Sequence, residues 1–155
     1  MTNSQLDYFS DERELIAFRV GQQEFCIDVM MVREVRGWAK ATTLPRSPAY
    51  VKGVINLRGS VLPIIDLSLR LGMGGVNPTE RNVVIVVQIE SRQVGILVDA
   101  VSDILTTKKS NIQPAPELTS NLIKNFIKGL LPMDGRMVSL ISLDNILPND
   151  ELDAA

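Results

Sequence analysis

Short runs of alternating apolar and polar residues dominate the chain, each broken by a turn-forming pair or triplet. Residues 15–20 and 24–29 flank Gly21-Gln22-Gln23, and residues 53–57 and 60–67 flank Arg58-Gly59. Residues 83–89 and 93–98 flank Glu90-Ser91-Arg92, and residues 127–133 and 137–143 flank Asp134-Gly135-Arg136. Period-two alternation with β-branched residues and short turns predicts four β-hairpins, and their close spacing argues for barrels or a sandwich. Helical signals are few. A short turn is predicted over residues 67–71, stopped by Gly72-Met73-Gly74-Gly75, and residues 118–128 show helical spacing. A C-terminal helix is predicted over residues 142–147, with Ser142 as cap and Pro148 as stop. Pro63 within a strand predicts an edge or a bulge, because proline cannot donate to a ladder.

The pattern repeats. At an offset of 69, Phe25, Ile27, Val29, Val32 and Val35 fall on Val94, Ile96, Val98, Val101 and Ile104, and Glu34 falls on Asp103. At an offset of 76, Tyr50-Val51-Lys52-Gly53 falls on Phe126-Ile127-Lys128-Gly129. That match runs ungapped through Gly59/Gly135, Val61/Met137 and Ile64/Leu140 to Leu71/Leu147. Two similar small β-barrels packed on each other follow, with halves at about 13–71 and 80–147 joined by the Gly/Asn/Pro-rich stretch 72–79. A barrel of about 60 residues has a marginal core alone, so a third core between the two is expected. Residues 1–12 read as a flexible tail and 148–155 as an acidic one.

Composition narrows the chemistry. The 155 residues include one cysteine, Cys26, and no histidine. That excludes an intramolecular disulfide, Ser-His-Asp and Cys-His machineries, histidine phosphotransfer and an ordinary structural zinc site. Cys26, between Phe25 and Ile27 on a strand, reads as a small buried hydrophobe. The N-terminus has neither the basic nor the apolar region of a signal peptide, and no uncharged apolar run approaches the roughly 18 residues of a membrane span, so a cytoplasmic protein is expected.

Net charge is −2 but unevenly placed. Residues 33–58 carry six bases (Arg33, Arg36, Lys40, Arg46, Lys52, Arg58) against Glu34, while residues 144–155 carry four acids and no base. The segment reads either as solvated loops or as a basic face for an acidic protein surface; few aromatics and no Gly-rich cradle argue against nucleic acid. Asp66, Asp99 and Asp103 raise a paired-carboxylate site or a receiver pocket, but antiparallel hairpins do not build a receiver. Gly72-Met73-Gly74-Gly75 is a poor phosphate loop, following no buried strand and opening no helix.

The most specific string is Asn56-Leu57-Arg58-Gly59-Ser60-Val61-Leu62-Pro63-Ile64-Ile65-Asp66-Leu67. It resembles the central motif of the CheW-like family of chemotaxis coupling proteins, together with the preceding Pro48-Ala49-Tyr50-Val51-Lys52-Gly53-Val54-Ile55. Val32-Arg33-Glu34-Val35-Arg36-Gly37 is similar to the family's first-barrel signature, and residues 94–103 to its second. Gly135-Arg136-Met137 and residues 140–147 resemble the terminal hairpin and helix, so the likeness covers residues 13 to about 147. Related forms carry an attached kinase or receiver, for which this length leaves no room.

The resemblance implies a mainly β fold of two five-stranded SH3-like barrels with a few short helices, and strand exchange between the halves is compatible with it. It implies a non-enzymatic adaptor without cofactor or metal, monomeric alone. Such an adaptor links the cytoplasmic tip of methyl-accepting chemoreceptors to the regulatory domain of the histidine kinase CheA in membrane-associated arrays. Receptor contacts carried over by motif are Val32, Glu34, Val35, Arg58, Gly59, Val83, Val98, Asp99 and Val101. Val83, Val98 and Val101, valines at strand spacing, fit a core better than a contact surface, and Arg58 and Glu34 fit an internal salt bridge as well as direct contact. Kinase contacts fall on Trp38, Ala41, Leu44 and Pro45, with a second contact at Gln113 and Leu118; Trp38 is either an interface anchor or a core residue. Competing readings are a CheW-like scaffold of another motility-type pathway, a nucleic-acid-binding barrel and a carboxylate-dependent enzyme.

Overall fold

The structure, a computed structural model, describes residues 11–117 and 121–146. Each of the four alternating pairs forms an antiparallel hairpin closed by two residues. These are β1 (Glu12–Val20) with β2 (Gln23–Asp28), β4 (Val51–Leu57) with β5 (Ser60–Asp66), β6 (Val83–Ile89) with β7 (Arg92–Val98), and β9 (Ile127–Met133) with β10 (Arg136–Ile141). Two strands lacked a hairpin signal, β3 (Val32–Gly37) and β8 (Ala100–Lys108). The Arg58-Gly59 and Asp134-Gly135 turns hold φ at +51°/+87° and +49°/+77°, the primed-turn geometry that matches strand twist.

The strands form two five-stranded sheets, ordered β8-β1-β2-β10-β9 and β3-β6-β7-β5-β4. Neither sheet comes from one half of the chain. The first hairpin of each half pairs with the other three strands of the opposite half, through the parallel pairs β2–β10 and β5–β7 on one side and the antiparallel pairs β1–β8 and β3–β6 on the other. The two exchanges are equivalent: Cys26 sits opposite Leu140, and Gly95 opposite Ile64, the same pair under the 69 and 76 offsets.

The shared Lys-Gly has a physical cause. After β3 the chain crosses to β4, where Thr42 and Val54 exchange two backbone hydrogen bonds of 2.8 Å; after β8, Gln113 and Leu130 do the same at 2.8 and 2.7 Å. These bridges link the outer strands and close each sheet into a small barrel. A Cβ on Gly53 would stand 2.4 Å from the Thr42 carbonyl oxygen, and one on Gly129 would stand 2.8 Å from that of Gln113. Only glycine allows the crossing so near.

Three cores result. Leu15, Ala17, Cys26, Leu105, Leu131 and Val138 fill one barrel, and Leu57, Leu62, Ile64, Val84, Val86 and Leu97 fill the other. The third lies between the barrels and is the largest, with buried residues from β1, β2, β5, β6, β7, β9 and β10. Three short helices seal its ends: α1 (Leu67–Arg70), α2 (Asn121–Phe126) and α3 (Leu143–Ile146). At roughly 1.5–3 kcal/mol for each large side chain removed from water, this shared layer binds the barrels into one unit.

Two expectations need correction. The helix expected over residues 118–128 is confined among the described residues to Asn121–Phe126, because Ile127 and Lys128 already pair in β9. Pro63 lies on an inner strand, away from the register shift of β4, which falls between Val51 and Gly53. Its missing N–H is tolerated because Val54 opposite gives its own polar groups to Thr42, and the pairing with β7 begins only at Ile64.

Candidate partner-binding surfaces

Arg58 stands at the tip of the β4–β5 hairpin. The Asn56 side-chain oxygen accepts a 2.8 Å bond from the Gly59 amide and fastens the turn. Arg58 is directed outward, 71% exposed at its side chain, and its Nη2 donates to Glu34 Oε1 at 2.7 Å. Glu34 belongs to β3, at the opposite edge of the same sheet, so this ion pair spans the barrel's rim. Donation from Arg58 is the main cause holding the Glu34 carboxyl below its usual range, helped by the nearby charges of Arg58 and Arg36. Of the two readings of this pair, the geometry realises the internal salt bridge while leaving the guanidinium accessible.

The remaining receptor-side candidates divide by burial. Val32, Val83 and Val101 are half-buried and pack against the edge of the shared core. Val98, 1% exposed, lies within that core. Asp99 is half-buried, and its carboxylate accepts a 2.7 Å bond from the Gly21 amide, which ties β7 to the β1–β2 turn. Val35 is exposed and Gly59 open to solvent.

On the kinase side, Trp38 is half-buried, packs against the core of the second barrel and donates its backbone N–H to Asn82 at 3.0 Å. It closes the barrel's end more than it projects from it. Leu44 and Pro45 are exposed, and Ala41 is half-buried beside Gly53. Together they form the crossing that Gly53 admits. Exposed Gln113 makes the equivalent crossing on the other barrel, and Leu118 lies outside the described residues.

The other acids have structural roles. Asp66 is fully buried, caps α1 by accepting from the Leu69 amide at 3.2 Å, and lies 3.6 Å from the Lys52 ammonium. Asp103 and Glu24 face Arg136 at 3.5 and 3.2 Å, contacts set by charge rather than by hydrogen-bond geometry. Three bases of the 33–58 segment are engaged, Arg33 with Gln88 at 3.0 Å, Lys52 with Asp66 and Arg58 with Glu34, which breaks the segment's continuity as a phosphate-binding stripe. Among the described residues no group of His, Cys, Asp and Glu is placed to hold a metal, and no helix is long and apolar enough to cross a membrane.

Sequence reasoning missed one surface feature. Val35/Ile104 and Val61/Met137 match as apolar positions under the repeat, and they are exposed by 44%, 54%, 74% and 57%. Apolar repetition marked equivalent exterior patches as faithfully as equivalent cores.

The comparisons agree with this architecture. Residues 14–151 match the CheW-like domain family. The chain is 56% identical over 155 residues to the chemotaxis protein CheW of Rhizobium meliloti (strain 1021), covering all of both proteins. It is 39% identical over 140 residues to the chemotaxis protein CheW of Klebsiella aerogenes, covering 90% of this chain and 84% of that one. The crystal structure of the scaffolding protein TtCheW from Thermoanaerobacter tengcongensis superposes with a TM-score of 0.80 at 29% identity, covering 89% of each chain. Ten strands in two exchanged barrels, the motifs along them and a match over almost the whole length lead to one assignment: the chain belongs to the CheW-like domain family.

Proposed function

We propose that this chain is a chemotaxis scaffold, not an enzyme, that joins the cytoplasmic tip of methyl-accepting chemoreceptors to the regulatory domain of the histidine kinase CheA. The observation that carries the reading is the exposed Arg58–Glu34 pair at the barrel rim, at positions where family receptor contacts fall. A solvent-exposed pair of this kind is readily exchanged, so a receptor carboxylate can replace Glu34 on Arg58 at little cost. Val32, Val35, Val83 and Val101 supply apolar contact for an amphipathic helix tip, while Gly59 lets it approach the turn. Val98 and Asp99 support this surface from beneath, one through the core and the other through the β1–β2 turn.

Kinase binding falls to the crossing that holds Ala41, Leu44 and Pro45, braced by Trp38, with Gln113 and Leu118 at a second contact. In this reading the chain is recruited from the cytoplasm to receptor arrays only through these partners. Two variants separate the surfaces. Arg58→Glu is expected to keep its melting temperature and kinase binding while losing receptor capture by at least tenfold. Leu44→Asp is expected to do the reverse. Normal receptor capture by the folded Arg58→Glu protein would refute the receptor assignment.

A further inference from the structure

Glu34 stands between two arginines. In β3, Glu34 pairs opposite Val86 and Arg36 opposite Val84, and both valines belong to the core of the same barrel. Directly opposed residues share a face, so Glu34 and Arg36 are neighbours on the barrel side of the strand, about 7 Å apart along it. Arg58 reaches Glu34 from the β4–β5 turn and holds Oε1 at 2.7 Å. After the hydrogen bond and charge of Arg58, the charge of Arg36 also favours the ionised Glu34 carboxyl. Arg36 is half-buried and, among the described residues, has no ion pair of its own. Arg33, the remaining base of the strand, is held by Gln88 at 3.0 Å. Two cations therefore share one carboxylate, and this trio carries a positive charge in surplus.

The repeat shows that the surplus belongs to one barrel. The 69-residue offset carries Glu34 onto Asp103, but Arg36 onto the buried Leu105. There the count is inverted: the single Arg136 is shared by two acids, Asp103 at 3.5 Å and Glu24 at 3.2 Å, and Glu24 stands where the first rim has the neutral Gln93. An incoming carboxylate would meet repulsion at that rim and attraction at this one. We propose that Arg36 is a positioning residue for receptor capture: it takes over Glu34 as Arg58 turns to a receptor carboxylate, so that the four groups alternate in sign. Without Arg36, Glu34 would be left half-buried and uncompensated beside the newcomer, and Arg58 would stay with it. A second guanidinium suits the task, since Arg58 occupies only one oxygen of Glu34 and a carboxylate accepts on both. The inference rests on the assignment of Arg58 to the receptor and names what lets that arginine change partners.

NMR titration of the Glu34 carboxyl tests the hand-over without any receptor. In Arg58→Gln protein Glu34 should still titrate below the ordinary glutamate range, held there by Arg36, and it should return to that range in Arg36→Gln/Arg58→Gln protein. A return already in Arg58→Gln protein would overturn the proposal. Receptor capture reads the consequence. Arg36→Gln should weaken capture roughly threefold or more at an unchanged melting temperature, and Arg36→Lys should recover most of the loss. Adding Glu34→Gln to Arg36→Gln should bring capture to within about twofold of the Glu34→Gln protein, because no carboxylate then holds Arg58 back. Unchanged capture by Arg36→Gln protein, or a loss that Glu34→Gln does not relieve, would overturn the proposal, the latter by making Arg36 a direct contact. Normal capture by Arg58→Glu protein would instead refute the receptor assignment, and the proposal with it. If Arg36→Gln does not fold, the titration in Arg58→Gln protein decides alone.

Discussion

Gly53→Ala tests the link between the folding of this chain and its scaffold surface. The new Cβ would stand 2.4 Å from the Thr42 carbonyl oxygen, well inside contact distance and against backbone that cannot rotate away. Gly53 also holds φ at +144°, which a side chain rarely adopts. Relief requires the crossing to lift, which breaks the two 2.8 Å hydrogen bonds between Thr42 and Val54. At about 1 kcal/mol for each bond and about 1–2 for residual backbone strain, the loss is roughly 3–4 kcal/mol. With about 2–4 °C per kcal/mol for a chain of this size, melting should fall by roughly 6–16 °C. The lifted segment carries Ala41, Leu44 and Pro45, so at a temperature where the variant is still folded, kinase binding should weaken more than receptor binding. Calorimetry and paired binding titrations read both effects. A melting temperature within about 2 °C of wild type, with kinase affinity unchanged, would refute the reasoning.

Three further outcomes follow. Ile65→Ala empties a fully buried position in the core shared by the barrels and should cost about 2–5 kcal/mol in urea unfolding, in a single transition reported alike by probes on both barrels. Glu34 has a lowered pKa, so its link to Arg58 is fully formed above the ordinary carboxylate value and is lost as pH falls through the lowered one. Receptor capture should therefore show an acid-side inflection below the ordinary glutamate range that Glu34→Gln abolishes; an identical profile in the variant would contradict the pair's role. The Cys26 thiol, fully buried and pushed up to about 12 first by burial and then by the charge of Glu24, should resist iodoacetamide at pH 8 in the folded protein and react fully in denaturant. Rapid labelling of the native chain would show that the barrel opens.

The sequence made the hairpins legible because each is a local device: alternation sets the faces and two residues set the turn. The repeat was legible for the same reason, down to Lys52-Gly53 and Lys128-Gly129, whose glycines prove to be crossing points. What stayed hidden was non-local. β3 and β8 lack a hairpin partner in sequence and pair with strands 50 or more residues away, Val35 with Ile85 and Ile16 with Ile104. Nor does alternation say whether an apolar position faces the core or solvent; the same valine pattern gives buried Val98 and exposed Val35. At the candidate site, Arg58 was legible from its turn and motif, and Glu34 from its motif, with their ion pair one of two readings. Asp99 was named by motif, but its bond to the Gly21 amide was not legible, since it depends on the packing of two distant hairpins.

A scaffold of the proposed kind bridges two partners without chemistry of its own. Co-sedimentation with a receptor signalling domain and the kinase CheA tests it most directly. Wild type should pellet with both together, Arg58→Glu only through the kinase and Leu44→Asp only through the receptor. Wild-type protein that remains in the supernatant with either partner and with both would contradict it.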